Sequence, residues 1–321
     1  MSELAFSIVI PTYQRCSLLR ELLAVLAGQT IPPNRYELIV AVDGSEDGTR
    51  EMASHFAAPY ELRSIWQPNR GRASACNAGI RLARGEIVIL LDDDMYPGRE
   101  FLEGHAAAHQ AHPGCAIIGA APVLIDDSSP PATRYIANRF NQHLANLARD
   151  GYLMKFRDFY SGNFSLRRDL FAKVGGFDED FVVYGNEDLE FSYRLAAAGV
   201  TAVFSPAAVA TQRYTKDFAG LARDNLGKGR TAVLLSRKHP QVLPHLKIGA
   251  PREASLKWRV VRASLLRATE AWPAVASVIL SMMQWLERRR SRFFAPSCMA
   301  VLDYFYWLGA RAAMKEGASG T

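Results

Sequence analysis

Apolar β-type runs alternate with helix-type patterns through the first third of the chain, and this alternation strongly constrains the fold. Strands are predicted at Phe6–Ile10, Tyr36–Val42, Leu62–Gln67 and Glu86–Leu91. Helices are predicted between them, at Ser17–Leu26, Thr49–Phe56 and Arg72–Arg84, the last closed by Gly85. Continuously apolar runs suit strands that are buried on both faces. Strands that alternate with helices predict an α/β fold with a mostly parallel sheet.

Polar turns follow the predicted strands at the same end. They are Pro11-Thr12-Tyr13, Asp43-Gly44-Ser45, Gln67–Gly71 and Asp92–Asp94. Exposure alone makes many turns polar. In parallel α/β sheets, however, ligands bind beyond the carboxyl ends of the strands. Four polar turns at this edge therefore favour a shared ligand site.

Three consecutive carboxylates, Asp92-Asp93-Asp94, end the fourth strand. Burying three carboxylates without partners would cost much free energy, so we do not expect them to be core residues. Asp92 and Asp94, spaced i and i+2, could share a hard cation such as Mg²⁺ or Mn²⁺. Such a cation would neutralise a leaving diphosphate. An isolated Asp-x-Asp is more often a solvated acidic turn. Interpreting it as a metal site therefore needs support from a second group of residues.

A second acidic cluster, Asn186-Glu187-Asp188-Leu189-Glu190, opens a predicted helix at Asn186–Ala198. Acids in a first turn also stabilise the helix dipole, so capping is a real alternative. An acid presented at a helix start in a cleft could instead accept a proton from a hydroxyl. Upstream, Gly162-Asn163-Phe164 and Gly175–Asp178 predict tight turns that would shape such a cleft.

The rest of the chain is less regular. Further predicted elements are a strand at Cys115–Pro122, a mobile loop at Asp126–Thr133, a helix at Arg134–Gly151 and a strand at Thr201–Phe204. From about residue 236 the pattern is mostly helical. We predict a domain at 1–235 and a helical region at 236–321. His55, His105, His109 and His112 are irregularly spaced and predicted to lie on exposed helices, so we expect surface histidines and no metal site among them.

The spacing of the cysteines and the hydropathy of the sequence indicate the cellular compartment of the protein. The four cysteines have neither zinc-finger nor thioredoxin spacing, which predicts reduced structural thiols in a reducing compartment. The apolar stretch at residues 6–10 is too short for a signal peptide and lacks a basic lead-in. No run has the length of a spanning helix. We expect a cytoplasmic protein.

The motifs taken together resemble those of family 2 glycosyltransferases with the GT-A fold, from about Phe6 to Pro240. Seven stretches carry the resemblance, in the family's order: Ser7–Arg15, Val40–Thr49, Asn69–Gly79, Leu90–Asp94, Gly162–Phe164, Gly175–Glu179 and Asn186–Glu190. Each stretch is weak alone, whereas all seven in sequence are specific.

The resemblance implies roles for particular residues. The nucleotide and donor would be bound by Pro11, Thr12, Tyr13, Arg15, Asp43, Asn69, Arg72, Asn77, Asp92, Asp93 and Asn163. Asp43 would contact the base, a uracil. Asp92 and Asp94 would form the family's Asp-x-Asp, with Asp94 the direct ligand of Mn²⁺ or Mg²⁺. Asp188 would be the general base, with Glu187 the second candidate.

The resemblance also implies the reaction. A hexosyl or N-acetylhexosaminyl group would pass from a UDP-sugar to a hydroxyl of a glycan or lipid-linked saccharide, with inversion and no covalent intermediate. Such an enzyme would serve polysaccharide biosynthesis. A processive synthase is not expected, because the chain lacks a Gln-x-x-Arg-Trp motif and spanning helices.

Two departures from the family pattern keep alternatives open. Many members have Asp-Asp-Gly-Ser where this chain has Val42-Asp43-Gly44-Ser45. Relatives often place a metal-binding histidine where this chain has Thr211 and Gln212. A catalytically silent sugar-nucleotide-binding partner protein is therefore the main alternative. A nucleotidyltransferase is less favoured, because the chain lacks the Gly-rich, basic N-terminal loop of such enzymes.

The positive charge of the chain is local. Residues 251–292 hold nine Lys or Arg against three Glu, which equals the whole net charge of +6. An apolar stripe at helical spacing runs from Trp258 to Leu286, with a restart at Pro273, and precedes Arg288-Arg289-Arg290. The stripe fits either helices packed on the catalytic domain or a peripheral membrane contact through residues 251–310. We expect no nucleic-acid partner, because the first 250 residues carry no net charge.

Overall fold

The computed structural model describes residues 4–250 and 255–318. Its strands are β1 Phe6–Thr12, β2 Tyr36–Asp43, β3 Glu61–Gln67, β4 Ile87–Leu91, β5 Met95–Pro97, β6 Ala116–Gly119, β7 Asn163–Arg167, β8 Ala202–Ser205 and β9 Ala210–Gln212. Its helices are α1 Cys16–Leu26, α2 Thr49–His55, α3 Arg72–Leu82, α4 Phe101–Ala111, α5 Pro131–Leu147, α6 Arg168–Val174, α7 Glu187–Ala197, α8 Phe218–Lys238, α9 Leu256–Ala271, α10 Ala274–Arg288 and α11 Phe294–Ala318.

A seven-stranded sheet in the order β3-β2-β1-β4-β7-β6-β8 is the framework of the N-terminal part. β1, β2, β3 and β4 pair in parallel, β7 runs antiparallel between β4 and β6, and β8 pairs in parallel with β6. A second, two-stranded sheet joins β5 to β9. The predicted α/β fold with a mostly parallel sheet and a helical C-terminal region is confirmed.

The central strands are continuously apolar because both faces of the sheet are covered. In β1, Ile8 and Ile10 belong to one apolar cluster with α1, whereas Val9 belongs to the cluster on the other face with α3. Successive side chains of a strand point to opposite faces, so every position of such a strand meets core. The whole of β1 is buried, as the sequence predicts.

Some predicted elements need correction. Gly162-Asn163-Phe164 is not simply a tight turn, because Asn163 and Phe164 begin the antiparallel strand β7. The predicted mobile loop Asp126–Thr133 is already helical from Pro131, and that helix ends at Leu147, before Gly151. β6 covers only Ala116–Gly119 of the predicted Cys115–Pro122.

The chain forms two compact units. The first comprises Met1–Leu124, Phe140–Val182 and Glu187–Tyr214, and the second comprises Ile125–Arg139, Val183–Asn186 and Thr215–Thr321. The predicted boundary after residue 235 falls inside α8. Residues 251–254, which begin the predicted membrane-contacting segment, lie outside the described residues. Within the described ranges no helix is long and apolar enough to cross a bilayer.

Candidate active site

A buried carboxylate, Asp93, joins the turn after β4 to the end of β1. Its Oδ2 accepts a hydrogen bond from Thr12 Oγ1 at 2.8 Å, and its Oδ1 accepts one from Arg15 Nη1 at 2.7 Å. Burial raises the pKa of Asp93 to about 7, while the Arg15 guanidinium opposes that rise. Asp93 therefore ties two strand ends together.

Asp94 is the next carboxylate of the turn, and Arg15 Nη1 also reaches its Oδ2, at 3.2 Å. Gln212 Nε2 lies 3.3 Å from Asp94 Oδ1, because Met95 pairs with Gln212 in the small sheet. Burial raises the pKa of Asp94, and the nearby charge of Asp92 raises it further. Gln212 thus stands beside the carboxylate for which the sequence predicts direct metal binding.

Arg72, at the start of α3, connects the carboxylates on the two sides of this edge. Its Nε and Nη2 donate to Asp92 Oδ1 at 3.1 and 2.7 Å. Its Nη1 donates to Ser161 Oγ at 2.8 Å and lies 3.6 Å from Asp188 Oδ1. One guanidinium therefore links the acidic turn after β4 to the acidic start of α7.

Ser161 completes this link, because its hydroxyl donates a short hydrogen bond to Asp188 Oδ1. A Cβ on the following Gly162 would come within 2.7 Å of Asp92 Oδ2, so this segment approaches the acidic turn closely. Sequence reasoning missed Ser161. The signal was its place directly before Gly162-Asn163-Phe164. Glu187, the second candidate base, is more deeply buried than Asp188.

Asp43, predicted to contact a base, organises the loop beyond β3. Its carboxylate accepts hydrogen bonds from Gln67 Nε2 at 2.8 Å and from the backbone amides of Arg70 and Gly71 at 2.9 Å each. Gly44, at a φ of +78°, lies so close to this loop that a Cβ would come within 2.7 Å of the Asn69 amide nitrogen. The Asp43-Gly44 turn therefore lies against Asn69.

The remaining predicted residues of the β1 edge differ in exposure. Pro11 is buried in β1 and pairs with Ala41 of β2, so it belongs to the sheet. The Tyr13 side chain is half exposed. Of these two, only Tyr13 presents its side chain to a ligand approaching from solvent.

Asn77 makes hydrogen bonds to other residues of the protein, at the turn Gly175–Glu179. Its side chain accepts from the Phe177 amide and donates to the Phe177 carbonyl, both at 2.8 Å, and it donates to Glu179 Oε1 at 3.0 Å. A Cβ on Gly176 would come within 2.6 Å of Asn77 Oδ1. Asn77 therefore anchors the Gly175–Glu179 turn to α3.

Asn163 is fully buried and lies in a polar cluster under α4. Its amide donates to the carbonyls of Ala120 and Ala208, both at 2.9 Å, and its Oδ1 lies 2.9 Å from His105 Nε2. The side chain is enclosed by protein and is not open to the donor sugar that the resemblance implies.

The prediction that His105 and His109 are surface residues is wrong. Both are buried, and both bond to Ser165 Oγ at 2.8 Å. Burial lowers the pKa of His105 to about 3 and that of His109 to about 4, so both are neutral near pH 7. Both histidines contact β7 through Ser165. They follow Phe101 at helical spacing on α4.

A divalent cation fits the chemistry of the Asp92–Asp94 turn. The raised pKa of Asp94, caused by burial and by Asp92, indicates two carboxylates that a hard cation with oxygen ligands would stabilise. In the described part of the chain no group of three or more His, Cys, Asp or Glu side chains could hold a metal ion. The protein thus offers two carboxylates, beside the Gln212 amide.

The fold and this edge define a GT-A-type protein. A mostly parallel sheet carries acidic residues beyond its carboxyl ends, and α7 brings a further acid to them. Residues 7–175, more than half of the chain, match the family model described as Glycosyl transferase family 2. The chain belongs to this family. Residues 142–218 also match a model described as N-terminal domain of galactosyltransferase.

Curated relatives support the assignment. Validoxylamine A glucosyltransferase of Streptomyces hygroscopicus subsp. limoneus is 30% identical over 269 residues, covering 75% of this chain and 58% of that protein. Chondroitin synthase of Escherichia coli is 27% identical over 267 residues, covering 73% of this chain and 38% of that protein. The chain therefore spans less than two thirds of the length of these relatives.

Solved structures share the fold. The mannosyltransferase PcManGT from Pyrobaculum calidifontis, in complex with GDP-Man and Mn²⁺, matches with a TM-score of 0.59 at 21% identity, over 96% of this chain and 88% of that one. Staphylococcus aureus TarS residues 1–349, in complex with UDP-GlcNAc, matches with a TM-score of 0.54 at 16% identity, over 98% and 92%. At these identities the likeness concerns the fold.

Proposed function

We propose that the protein is a metal-dependent, inverting glycosyltransferase that moves a sugar from a nucleoside-diphosphate sugar to an acceptor hydroxyl. One observation carries the proposal: Arg72 contacts Asp92, on the predicted diphosphate side, and lies 3.6 Å from Asp188, the candidate base. A cation-binding edge and a proton acceptor within one network are what direct sugar transfer needs. No observation favours a catalytically silent protein.

The donor is proposed to be a UDP-sugar that carries a hexosyl or N-acetylhexosaminyl group. Two solved structures with this fold, TarS with UDP-GlcNAc and PcManGT with GDP-Man, bind nucleotide sugars at their own sites. In this chain Asp43, Asn69 and the half-exposed Tyr13 are proposed to receive the base and ribose. The Asp43 carboxylate already accepts hydrogen bonds from the backbone N–H groups of Arg70 and Gly71. The imide N–H of a uracil is a donor of the same kind.

The chemical step is proposed as one displacement. The acceptor hydroxyl oxygen attacks the anomeric carbon, and a new C–O bond forms. The bond from that carbon to the diphosphate oxygen breaks, and its electron pair stays on the leaving diphosphate. The hydroxyl proton passes to the Asp188 carboxylate, which Ser161 orients through its hydrogen bond. Glu187 is the second candidate for the base.

Asp94 and Asp92 would hold a bound Mn²⁺ or Mg²⁺, with Asp94 the direct ligand. When bound, the cation would neutralise charge on the leaving diphosphate. Arg15 holds Asp93 and Asp94 in place, and Arg72 holds Asp92. These two arginines keep a dense group of carboxylates together at the edge of the sheet.

The acceptor is proposed to be a hydroxyl of a glycan or a lipid-linked saccharide. We also propose that the described part of residues 251–310 meets a membrane surface, which would bring the enzyme to a lipid-linked acceptor from the cytoplasmic side. The exposed apolar side chains of α9 and α10 support this contact.

Hydrolysis of a donor panel tests the proposed function. The purified protein is incubated with UDP-, GDP- and dTDP-sugars and Mn²⁺ or Mg²⁺, and release of the nucleoside diphosphate is measured with and without simple saccharide acceptors. We expect metal-dependent release from a UDP-sugar, which Asp94→Ala abolishes. UDP binding without release from any donor would instead favour a silent binding protein. Absence of both binding and release would overturn the proposal.

A further inference from the structure

Helix α10 exposes a row of large apolar side chains, although one of its two buried side chains is a carboxylate. Val278, Met282 and Trp285 form one row at i, i+4 and i+7 and are 67%, 48% and 53% exposed. Arg289 continues the same row and is exposed. The buried side chains of α10 are Met283 and Glu287. A helix of a globular domain normally buries its apolar row, so this row calls for a partner. We name Val278, Met282, Trp285 and Arg289 the α10 outer row.

Polar bonds fix this orientation of α10. Glu287 Oε1 accepts from the Ala132 amide at 3.1 Å, and its Oε2 accepts from the Phe218 amide at 2.9 Å. These amides belong to the first turns of α5 and α8, where backbone N–H groups lack partners within the helix. Rotating α10 to bury the outer row would strip Glu287 of these donors, at a large cost. The structure therefore keeps the outer row exposed.

The neighbouring helix α9 also buries a charged side chain while apolar side chains stay exposed. Its buried side chains are Arg262, Leu266 and Thr269. Arg262 Nη1 donates to Asp303 Oδ2 at 2.7 Å, and Thr269 Oγ1 bonds to the Tyr304 hydroxyl at 2.6 Å. Of the large apolar residues around it, Leu256, Val260 and Trp272 are among the most exposed in the protein. Two consecutive helices thus each bury one charged side chain and leave large apolar side chains exposed.

The charge beside the outer row indicates which partner fits. Arg288, Arg289, Arg290 and Arg292 are all exposed. Between residues 271 and 302 the sole acidic residue in the sequence is Glu287, and it is buried. The same segment of a second copy would therefore bring four arginines and no exposed acid. Anionic lipid headgroups supply the missing negative charge, and Trp is a residue suited to the headgroup boundary.

We propose that the α10 outer row is a docking face for an anionic bilayer. Val278, Met282 and Trp285 enter the boundary between headgroups and acyl chains, and the arginines at the end of α10 contact lipid phosphates. The exposed Trp272 and Phe293 flank the row along the chain. This proposal rests on the membrane contact proposed above and adds the helix face and the charge of the lipid.

Vesicle co-sedimentation of the full chain tests the proposal. Vesicles of phosphatidylcholine alone are compared with vesicles that contain about one third phosphatidylglycerol. We expect binding to the anionic vesicles, weakened by salt, with a blue shift of tryptophan emission. The double substitution Val278→Ser, Trp285→Ser should weaken binding at least about tenfold. Replacing Arg288, Arg289 and Arg292 by Gln should weaken it roughly a hundredfold.

Control variants change similar side chains elsewhere on the surface. Leu153→Ser removes another highly exposed apolar side chain, and the triple replacement of the exposed Arg20, Arg99 and Arg149 by Gln removes the same charge. Both controls should bind vesicles as the unaltered protein does, and thermal melts should show all variants folded. No binding to anionic vesicles, or equal binding by all variants, would overturn the proposal. So would a dimer, seen by light scattering, that the Val278→Ser, Trp285→Ser variant dissociates.

Donor hydrolysis in vesicle-free buffer separates this proposal from the proposed function. The α10 variants should hydrolyse the donor as the unaltered protein does, since the outer row lies in a different compact unit from Asp92, Asp94 and Asp188. Vesicle binding without any donor hydrolysis would contradict the proposed function alone. Hydrolysis without vesicle binding would contradict the docking face alone.

Discussion

Arg72 is the residue through which the candidate metal-binding carboxylates and the candidate base are connected. It contacts Asp92 directly and reaches Asp188 through Ser161. In a partly buried network, removing one member leaves the others without full compensation. The positions of Asp92 and Asp188 are therefore linked, although they lie far apart in the sequence.

Replacing Ser161 by Ala tests whether this hydrogen bond orients the base. The loss of a hydrogen bond to a charged group predicts a fall in kcat of roughly tenfold, with little change in the donor KM. Asp188→Asn, which removes the proton acceptor, should lower kcat by about 10²–10⁴. Steady-state kinetics with the donor found in the panel measures both. A Ser161→Ala enzyme with unchanged kcat would contradict the positioning role.

Asn163 should act through stability. Asn163→Ala removes the partner of two carbonyls and of His105, which we expect to cost about 3 kcal/mol of unfolding free energy. The corresponding fall in Tm is roughly 5–10 °C. Thermal melting measures it, with donor KM as the companion readout. A raised KM at unchanged Tm would instead support the donor contact that the resemblance implies.

The residues of the site were predictable to different degrees. The clustering of Asp92, Asp94 and Asp188 could be predicted because each lies in a motif at the end of a regular element, whereas their roles stay predictions. The position of Ser161 beside a motif was a signal, but its contact with Asp188 and the approach of Gln212 to Asp94 depend on the pairing of distant segments, which the sequence does not display. His105 and His109 were misassigned although they share helical spacing with Phe101, which is fully buried on the same helix.

At the scale of elements, periodicity predicted the β1–β4 half of the sheet but missed β7. Asn163 and Ser165 alternate with Phe164 and Leu166, a pattern typical of a half-exposed strand or a turn. In the structure both faces of β7 are covered, because the polar side chains bond to the buried histidines of α4. A polar residue with a buried partner cannot be distinguished in sequence from a solvated one.

The close packing of α8 against α11 gives a prediction for the second unit. A Cβ on Gly229 would overlap the Tyr306 carbonyl oxygen, and a Cβ on Gly309 would overlap that of Leu226. Gly229→Ala should therefore destabilise the protein by about 1–3 kcal/mol, despite the better helix propensity of Ala. Chemical denaturation measures the change.

Gly220→Ala is the matched control in the same helix. Its added Cβ would meet mainly the flexible Lys216 side chain, at 3.2 Å. We expect it to be near neutral or slightly stabilising. Equal stability of the Gly229 and Gly220 variants would show that the close crossing of α8 and α11 is not a constraint.

The two compact units of the molecule differ in how far their structures could be predicted from the sequence. The first unit follows strand periodicity and family motifs, so its α/β architecture could be predicted. In the second unit the apolar stripe from Trp258 to Leu286 could be recognised in the sequence, but which of its side chains are exposed could not be predicted. Buried bonds of Arg262 and Glu287, made to distant segments, decide which face of each helix is exposed.

We propose that the edge formed by Asp92 and Asp94 binds a divalent cation together with the donor diphosphate. Calorimetric titration with UDP in the presence of Mn²⁺ measures this binding, with Asp94→Ala as the test variant and Asp150→Ala, at an exposed position, as the matched control. We expect Mn²⁺-dependent UDP binding that Asp94→Ala weakens at least about tenfold and that Asp150→Ala leaves unchanged. Equal Mn²⁺-dependent binding by the Asp94→Ala protein would contradict it.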